Sequence, residues 1–171
     1  NILNFNIIVK SLIILILYFI FSQFVNAADF KGARDDLSFF NIKNSNYKKG
    51  IDAINQAEKL YKKDKKNKSK KRFNDAINYF VLAHEEEPNN PDILNYLGIS
   101  YSKVNDLMMA EIYYLMGLEI NPNHTGLNQY LGNLYVSTNR IDLALERLKV
   151  LKDCDCEEYL NLKSFLDNKK N

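Results

Sequence analysis

Apolar residues in the central part of the chain recur at the three- and four-residue spacing of helices that bury one face. The pattern then repeats. Leu97-Gly98 and Leu131-Gly132 lie 34 residues apart, and so do Tyr96 and Tyr130, Tyr101 and Tyr135, Ala110 and Ala144, Ala76 and Ala110, and Pro88 and Pro122. One offset shared by so many residue types marks an internal repeat. Each unit reads as two antiparallel helices, A and B. Gly98 and Gly132 fall inside helix A, where glycine costs about 1 kcal/mol against alanine. The expected reason is a close approach of helix B, with Ala110 and Ala144 as the matching small residues. Tyr101 and Tyr135 are expected to fill the space between units. Pro88 and Pro122 end the B helices, because proline cannot continue one. Lys103-Val104-Asn105-Asp106 and Thr138-Asn139-Arg140 read as A-to-B turns, with Asn and Asp suited to local backbone bonding.

The first unit departs from the period. Ala76, Phe80, Ala83 and Pro88 fit a helix B, but Lys63-Asp64 stands where Leu-Gly belongs. Its helix A is expected upstream, at about residues 47–63 with Ser45 as N-cap, and its helix B from about Lys68. Residues 28–46 show no sustained period and read as a linker holding a small apolar knot, Leu37-Ser38-Phe39-Phe40. Tyr159, Leu162 and Phe165-Leu166 share one helical face. They predict a closing helix over 157–168 whose charged side solvates the end of the stack.

With these residues in view, the chain resembles the tetratricopeptide-repeat (TPR) family. The resemblance is strong over residues 91–158, carried by Leu97-Gly98-x-x-Tyr101, Ala110, Tyr114 and Pro122 and by Leu131, Gly132, Tyr135, Ala144 and Leu148. It is weaker over 47–90. The segment Tyr47-x-x-Gly50-Ile51-x-Ala53-Ile54, the two clear units and the ending Cys156-Glu157-Glu158-Tyr159-Leu160 together resemble small exported TPR proteins of alphaproteobacteria. The resemblance implies an all-α fold: antiparallel helix pairs stacked as a short right-handed solenoid, in units of about 47–90, 91–124 and 125–158, closed by a C-terminal capping helix. It also implies that the A helices line a concave face that binds another protein or peptide. On this chain that face takes Asp92, Asn95, Tyr96, Ile99, Ser102 and Lys103 from the second unit. From the third it takes Gly126, Gln129, Tyr130, Asn133, Val136 and Ser137. Amides can bond a peptide backbone at both its N–H and its C=O, and tyrosine offers apolar area with a polar tip. Packing of Tyr96 and Tyr130 inside the stack is the competing reading. The chaperone-binding TPR domains that grip a terminal carboxylate use Lys or Arg at several groove positions. Only Lys103 qualifies here, which argues against that mode.

Residues 1–27 differ from the rest. Lys10 is the only charge before Asp29, and the apolar run Leu12–Phe21 follows it. Ser22-Gln23 interrupts that run, and Val25-Asn26-Ala27 ends in a small residue. This is the layout of a secretory signal peptide, with cleavage expected after Ala27. The alternative is an uncleaved anchor, although a spanning helix wants about 20 apolar residues. Export implies a periplasmic location.

Composition narrows the function. The 171 residues carry a net charge of +2, with 6 Gly and 3 Pro, so turn-rich β architectures are disfavoured and bulk charge does not indicate nucleic-acid binding. No Gly-rich phosphate loop or nucleophile motif occurs. His84, at the end of a B helix, and His124, in an inter-unit turn, lack a second ligand at metal spacing. Both read as solvated side chains. The expectation is a non-enzyme without a cofactor and without nucleic acid as partner, with self-association to a homodimer as a further way to bury a small core. The basic run Lys62–Arg72 reads as a solvated inter-helix turn, with an anionic membrane or acidic partner as the rival reading.

Cys154-Asp155-Cys156 is the remaining chemistry. Cα atoms two residues apart lie about 5.5–7 Å from each other, overlapping the window of about 4.4–6.8 Å that a disulfide allows. A local disulfide, free thiols and a soft-metal site for Cu(I) all remain open, and the last two give the alternative function of a metal or thiol-redox accessory protein. Intact mass of the chain recovered from a host that exports it tests the leader: loss of residues 1–27 is the expected result, and retention of Leu12–Phe21 would contradict it.

Overall fold

The computed structural model describes residues 32–170, with side chains from 45 to 169; the expected signal peptide lies outside these residues. Seven helices are described: α1 (Gly32–Lys62), α2 (Lys66–Glu86), α3 (Pro91–Lys103), α4 (Leu107–Ile120), α5 (Thr125–Ser137), α6 (Ile141–Val150) and α7 (Glu157–Lys170). Among the described residues there is no strand, and no helix is long and apolar enough to cross a membrane. The described residues fall into two units: residues 32–41, described as helix, belong to the first, and residues 42–170 to the second. In the second unit α1/α2, α3/α4 and α5/α6 are antiparallel pairs. α3 packs on α2 and α4, and α5 on α4, α6 and α7. The fold is a short right-handed helical solenoid with a closing helix.

Local sequence explains where the helices stop. Asp64, Asn105 and Asn139 adopt positive φ of 53°, 71° and 62°, one in each A-to-B turn. That left-handed conformation is tolerated best by Gly, Asn and Asp. α3 and α4 start on Asn90 and Asp106, whose side chains accept from the backbone N–H of Asp92 and Met109.

One contact recurs inside the hairpins. A Cβ at Gly98 would collide with the Tyr114 ring, and a Cβ at Gly50 would lie 2.6 Å from the Phe80 ring. Phe80 and Tyr114 are one period apart and both are buried. Gly50 is therefore the first unit's counterpart of Gly98. It lies off the 34-residue period because both helices of that hairpin are longer: α1 runs seven residues further past its glycine than α3 does, and α2 starts seven residues earlier before its ring than α4 does. Seven residues are two turns, so this hairpin tip projects roughly 10 Å beyond the next. The Lys62–Arg72 run occupies that tip, and its residues extend into both helices instead of forming only a turn.

Two further expectations are corrected. Residues 32–46 are helical although they show no sustained period, and Ser45 lies inside α1, not at its N-cap. The stretch contains no proline to stop a helix, and its Asn and Ser weaken the pattern without breaking the chain. A Cβ at Gly132 would first meet Leu162 of α7, at 2.5 Å, not its own B helix. α6 carries the shorter Leu148 where α4 has Tyr114, so the closing helix fills the space. Tyr101 packs against both core clusters, as expected of a residue between units, and also stacks on Tyr113 of its own unit at 5.3 Å.

The core forms two clusters. One is built on Phe73, Phe80, Ile93, Leu94 and Leu97, the other on Tyr114, Leu127, Leu131, Val136 and Leu162. Half-buried Tyr96 and Tyr101 touch both. Gly98→Ala is expected to lower unfolding free energy by about 1–3 kcal/mol through overpacking against Tyr114, read by urea denaturation. Tyr114→Leu, which copies the third unit, should recover part of that loss in the double variant.

Candidate protein-interaction groove

α1, α3 and α5 supply the A-helix face. Tyr96 of α3 lies parallel to Phe80 with ring centroids 5.2 Å apart, and edge-on to Tyr47 of α1 at 5.9 Å. Tyr130 of α5 stacks over Tyr114 at 6.4 Å. Both tyrosines are half-buried. Their rings pack into the stack on one side, so the two readings of these residues combine: the ring is part of the structure and its remaining surface faces outward. Tyr47 joins them. Sequence reasoning did not place it in the groove, although it stands three residues before Gly50 much as Tyr96 and Tyr130 stand two before their glycines.

The other expected groove residues divide by burial. Asn95 and Gln129 are 8% and 9% exposed. Asn95 packs on Gly126, where a Cβ would lie 2.8 Å from the amide nitrogen. That glycine lets α3 and α5 approach. Asn133 is half-buried. The side-chain oxygens of Asn95 and Asn133 are both buried without a hydrogen-bond partner. An unpaired buried acceptor costs about 1–3 kcal/mol, and most such groups in folded proteins are satisfied. Ile99 and Val136 belong to the core at 8% and 1% exposure. Ser102 is half-buried, and Asp92, Lys103 and Ser137 are exposed.

His124 corrects the expectation of a solvated side chain. It is the N-cap of α5: its Nδ1 accepts from the Leu127 backbone N–H at 3.2 Å, which leaves the proton on Nε2, and Nε2 donates to Asp92 Oδ1 at 3.0 Å. The imidazole thus ties the start of α3 to the start of α5 and engages one carboxylate oxygen of Asp92. His84 is likewise half-buried, with Nδ1 buried and unpartnered.

At the other end of the face, the Lys103 ammonium lies 6.0 Å from the Tyr61 ring centre. Glu58, Tyr61, Lys62, Phe73 and Lys103 line a pocket of about 150 Å³ there, below the size of about 300–1,000 Å³ usual for small-molecule sites. Cys154 and Cys156 are joined by a disulfide, with Cα atoms 5.2 Å apart. The intervening Asp155, at φ 48°, folds the chain back and brings them closer than the sequence spacing suggested. In this form neither sulfur is a thiolate free to bind metal.

Burial tunes the tyrosines. Desolvation, with the Tyr96 hydroxyl and the Asp92 and Glu87 carboxylates nearby, pushes Tyr47 up to about 12. Desolvation also raises Tyr101, Tyr114, Tyr130 and Tyr135.

No family model matches the sequence, and no curated protein matches it. Solved structures do. The first TPR of Spaghetti (RPAP3), bound to HSP90 peptide SRMEEVD, superposes with a TM-score of 0.51 at 16% identity, over 73% of this chain and 96% of that one. The Arabidopsis OM64 TPR domain gives 0.53 at 14%, over 72% and 98%. The second TPR domain of human RPAP3, in complex with HSP70 peptide SGPTIEEVD, gives 0.53 at 12%, over 74% and 98%. The fold is that of a TPR domain.

The tyrosines yield a pH dependence. The unfolded chain ionises its phenols near pH 10, while the folded chain holds these protons to higher pH. Above about pH 10 the folded state therefore binds more protons, and stability falls as pH rises towards 12. Denaturation midpoints measured across this window should decline. Tyr47→Phe should decline less steeply; a slope unchanged by that substitution would contradict the assignment to Tyr47.

Proposed function

We propose that this chain is a non-catalytic interaction module that binds an extended segment of a partner protein along its A-helix face. The observation that carries the reading is the pair of buried, unpartnered side-chain oxygens of Asn95 and Asn133, on successive A helices beside Tyr96 and Tyr130. An acceptor held dry and unpaired in the free protein gains a full hydrogen bond when a peptide N–H reaches it. Tyrosine surface beside it supplies apolar contact at low entropic cost. Lys103 is the only cation among these groove positions, so the ligand is held by backbone bonds and rings, not by several cations on a terminal carboxylate.

The compartment belongs to the same proposal. A leader over residues 1–27 with cleavage after Ala27 sends the chain to the periplasm, and the Cys154–Cys156 disulfide accords with an oxidising compartment. The same disulfide favours a second reading, a thiol-redox accessory role. That reading requires a dithiol partner that reduces the pair reversibly. It fails if mild reductant leaves the intact mass unchanged.

Peptides selected from a random extended library against the chain provide the test. Asn95→Ala and Asn133→Ala should each weaken a selected peptide about tenfold, equivalent to about 1.4 kcal/mol, with helicity unchanged. Tyr96→Phe should fold normally, since the ring stays in place. Affinity indifferent to both asparagine substitutions would sink the groove reading.

A further inference from the structure

The opposite, B-helix side carries a feature that the fold does not require. α4 reads Leu-Met-Met-Ala-Glu-Ile-Tyr-Tyr-Leu-Met-Gly-Leu-Glu-Ile and, apart from Glu111 and Glu119, carries no charged residue, although only one side of it is buried. Met108 is 71% exposed, and Ile112 and Leu115 are each 43% exposed. Their spacing of four and three is the seam by which one helix packs along another.

The repeat supplies its own control. At the same positions of the unit before, α2 carries Asn74, Asn78 and Val81; in the unit after, α6 carries Asp142, Glu146 and Lys149. Asn74, Asn78, Asp142, Glu146 and Lys149 are all exposed. A B helix of this fold therefore accepts polar residues there, and the apolar stripe of α4 answers to something outside the hairpin. An exposed contiguous apolar patch rimmed by polar residues marks an interaction surface.

We propose that this stripe pairs with the same stripe of a second copy of the chain, α4 lying antiparallel on α4 about a two-fold axis near Ile112. Charge complementarity selects this occupant. The charges of α4 are Glu111 and Glu119, with no Lys or Arg. Arg140 of the same chain holds Glu111 at 2.7 and 2.8 Å. In the antiparallel arrangement Glu119 of one copy lies towards Met108 of the other, not against its own equivalent. On the flanking α6 the acid comes first and the base last, so Asp142 of one copy falls level with Lys149 of the other, twice over, while Glu146, level with the axis, meets its own equivalent with Arg147 3.8 Å from each. A two-fold interface uses one patch on both partners and must be self-complementary in this way. An anionic bilayer suits the stripe less well, because the stripe has no cation of its own and Asp142 and Glu146 flank it. Leu82 of α2 and Leu143 and Leu145 of α6 are further exposed apolar residues on the neighbouring B helices; a stable interface takes roughly 800 Å² per partner.

The dimer is independent of the groove, so its failure leaves the peptide-binding reading intact. The test is sedimentation equilibrium of the chain as recovered from its expression host, from about 1 μM to about 1 mM, a range that brackets modest dimers. A monomer–dimer equilibrium is expected. Met108→Asp with Ile112→Glu writes into α4 the residues that α6 already carries at these positions, so folding is expected to survive, checked by circular dichroism. This double variant should weaken dimerisation on the order of 100-fold while keeping native helicity. A wild-type chain monomeric throughout, or a dimer that the double variant leaves unchanged, overturns the proposal. So does a monomer that co-sediments with phosphatidylglycerol vesicles through the same two residues, which would make the occupant a bilayer.

Discussion

In the first two hairpins an aromatic ring on helix B occupies the volume that a side chain on helix A would need. Phe80 fills it at Gly50 and Tyr114 at Gly98. Removing one methyl group from helix A costs about 1 kcal/mol in helix propensity. Fully burying a large apolar side chain returns about 1.5–3 kcal/mol, so the exchange favours the close-packed pair. Much else follows from where the ring goes. Phe80, set under Gly50, becomes the floor on which Tyr96 stacks, and Tyr114, set under Gly98, becomes the floor for Tyr130. The contact that closes each hairpin thus also fixes a tyrosine of the next A helix. The third hairpin lacks a ring, and Leu162 of the closing helix takes that place at Gly132.

A second constraint fixes the spacing between units. Gly126 admits the Asn95 amide between α3 and α5, and His124 bridges the starts of the same two helices through Leu127 and Asp92. Asn128, fully buried, bonds the carbonyls of Pro122 and His124 and receives Arg147. On the B side the Arg140–Glu111 pair and the Arg140–Tyr135 contact at 4.5 Å hold α4 to the α5–α6 turn. The side-chain oxygens of Asn95 and Asn133, on the A helices, are not used by these bonds and stay buried without a partner.

The sequence made parts of this visible and hid others for definite reasons. The 34-residue offset located the second and third units and their turns, because residues with a strict steric role recur when the geometry recurs. The first unit's glycine was hidden because two added turns in each helix moved Gly50 out of period while leaving its contact intact. The apolar face of the capping helix was legible at Leu162 and Leu166, but not that Leu162 would fill Gly132. His124 looked like a solvated turn residue, since a capping bond depends on backbone direction and not on spacing. Tyr96 and Tyr130 were found from the repeat, whereas Ile99 and Val136, assigned to the groove by position, lie in the core. The stripe on α4 was invisible as a surface, because a helix with so few charged residues reads as buried on every side.

Site-specific photo-crosslinking separates the two faces directly. A photoreactive residue at Ser102 or Ser137, on the A-helix rim, and one at Asn74, on the B side, would be exposed to the same selected peptide. The account predicts that the peptide crosslinks from Ser102 and Ser137 and not from Asn74, and that excess unlabelled peptide abolishes the signal. Crosslinking from Asn74 alone, or equally from both faces, would contradict it.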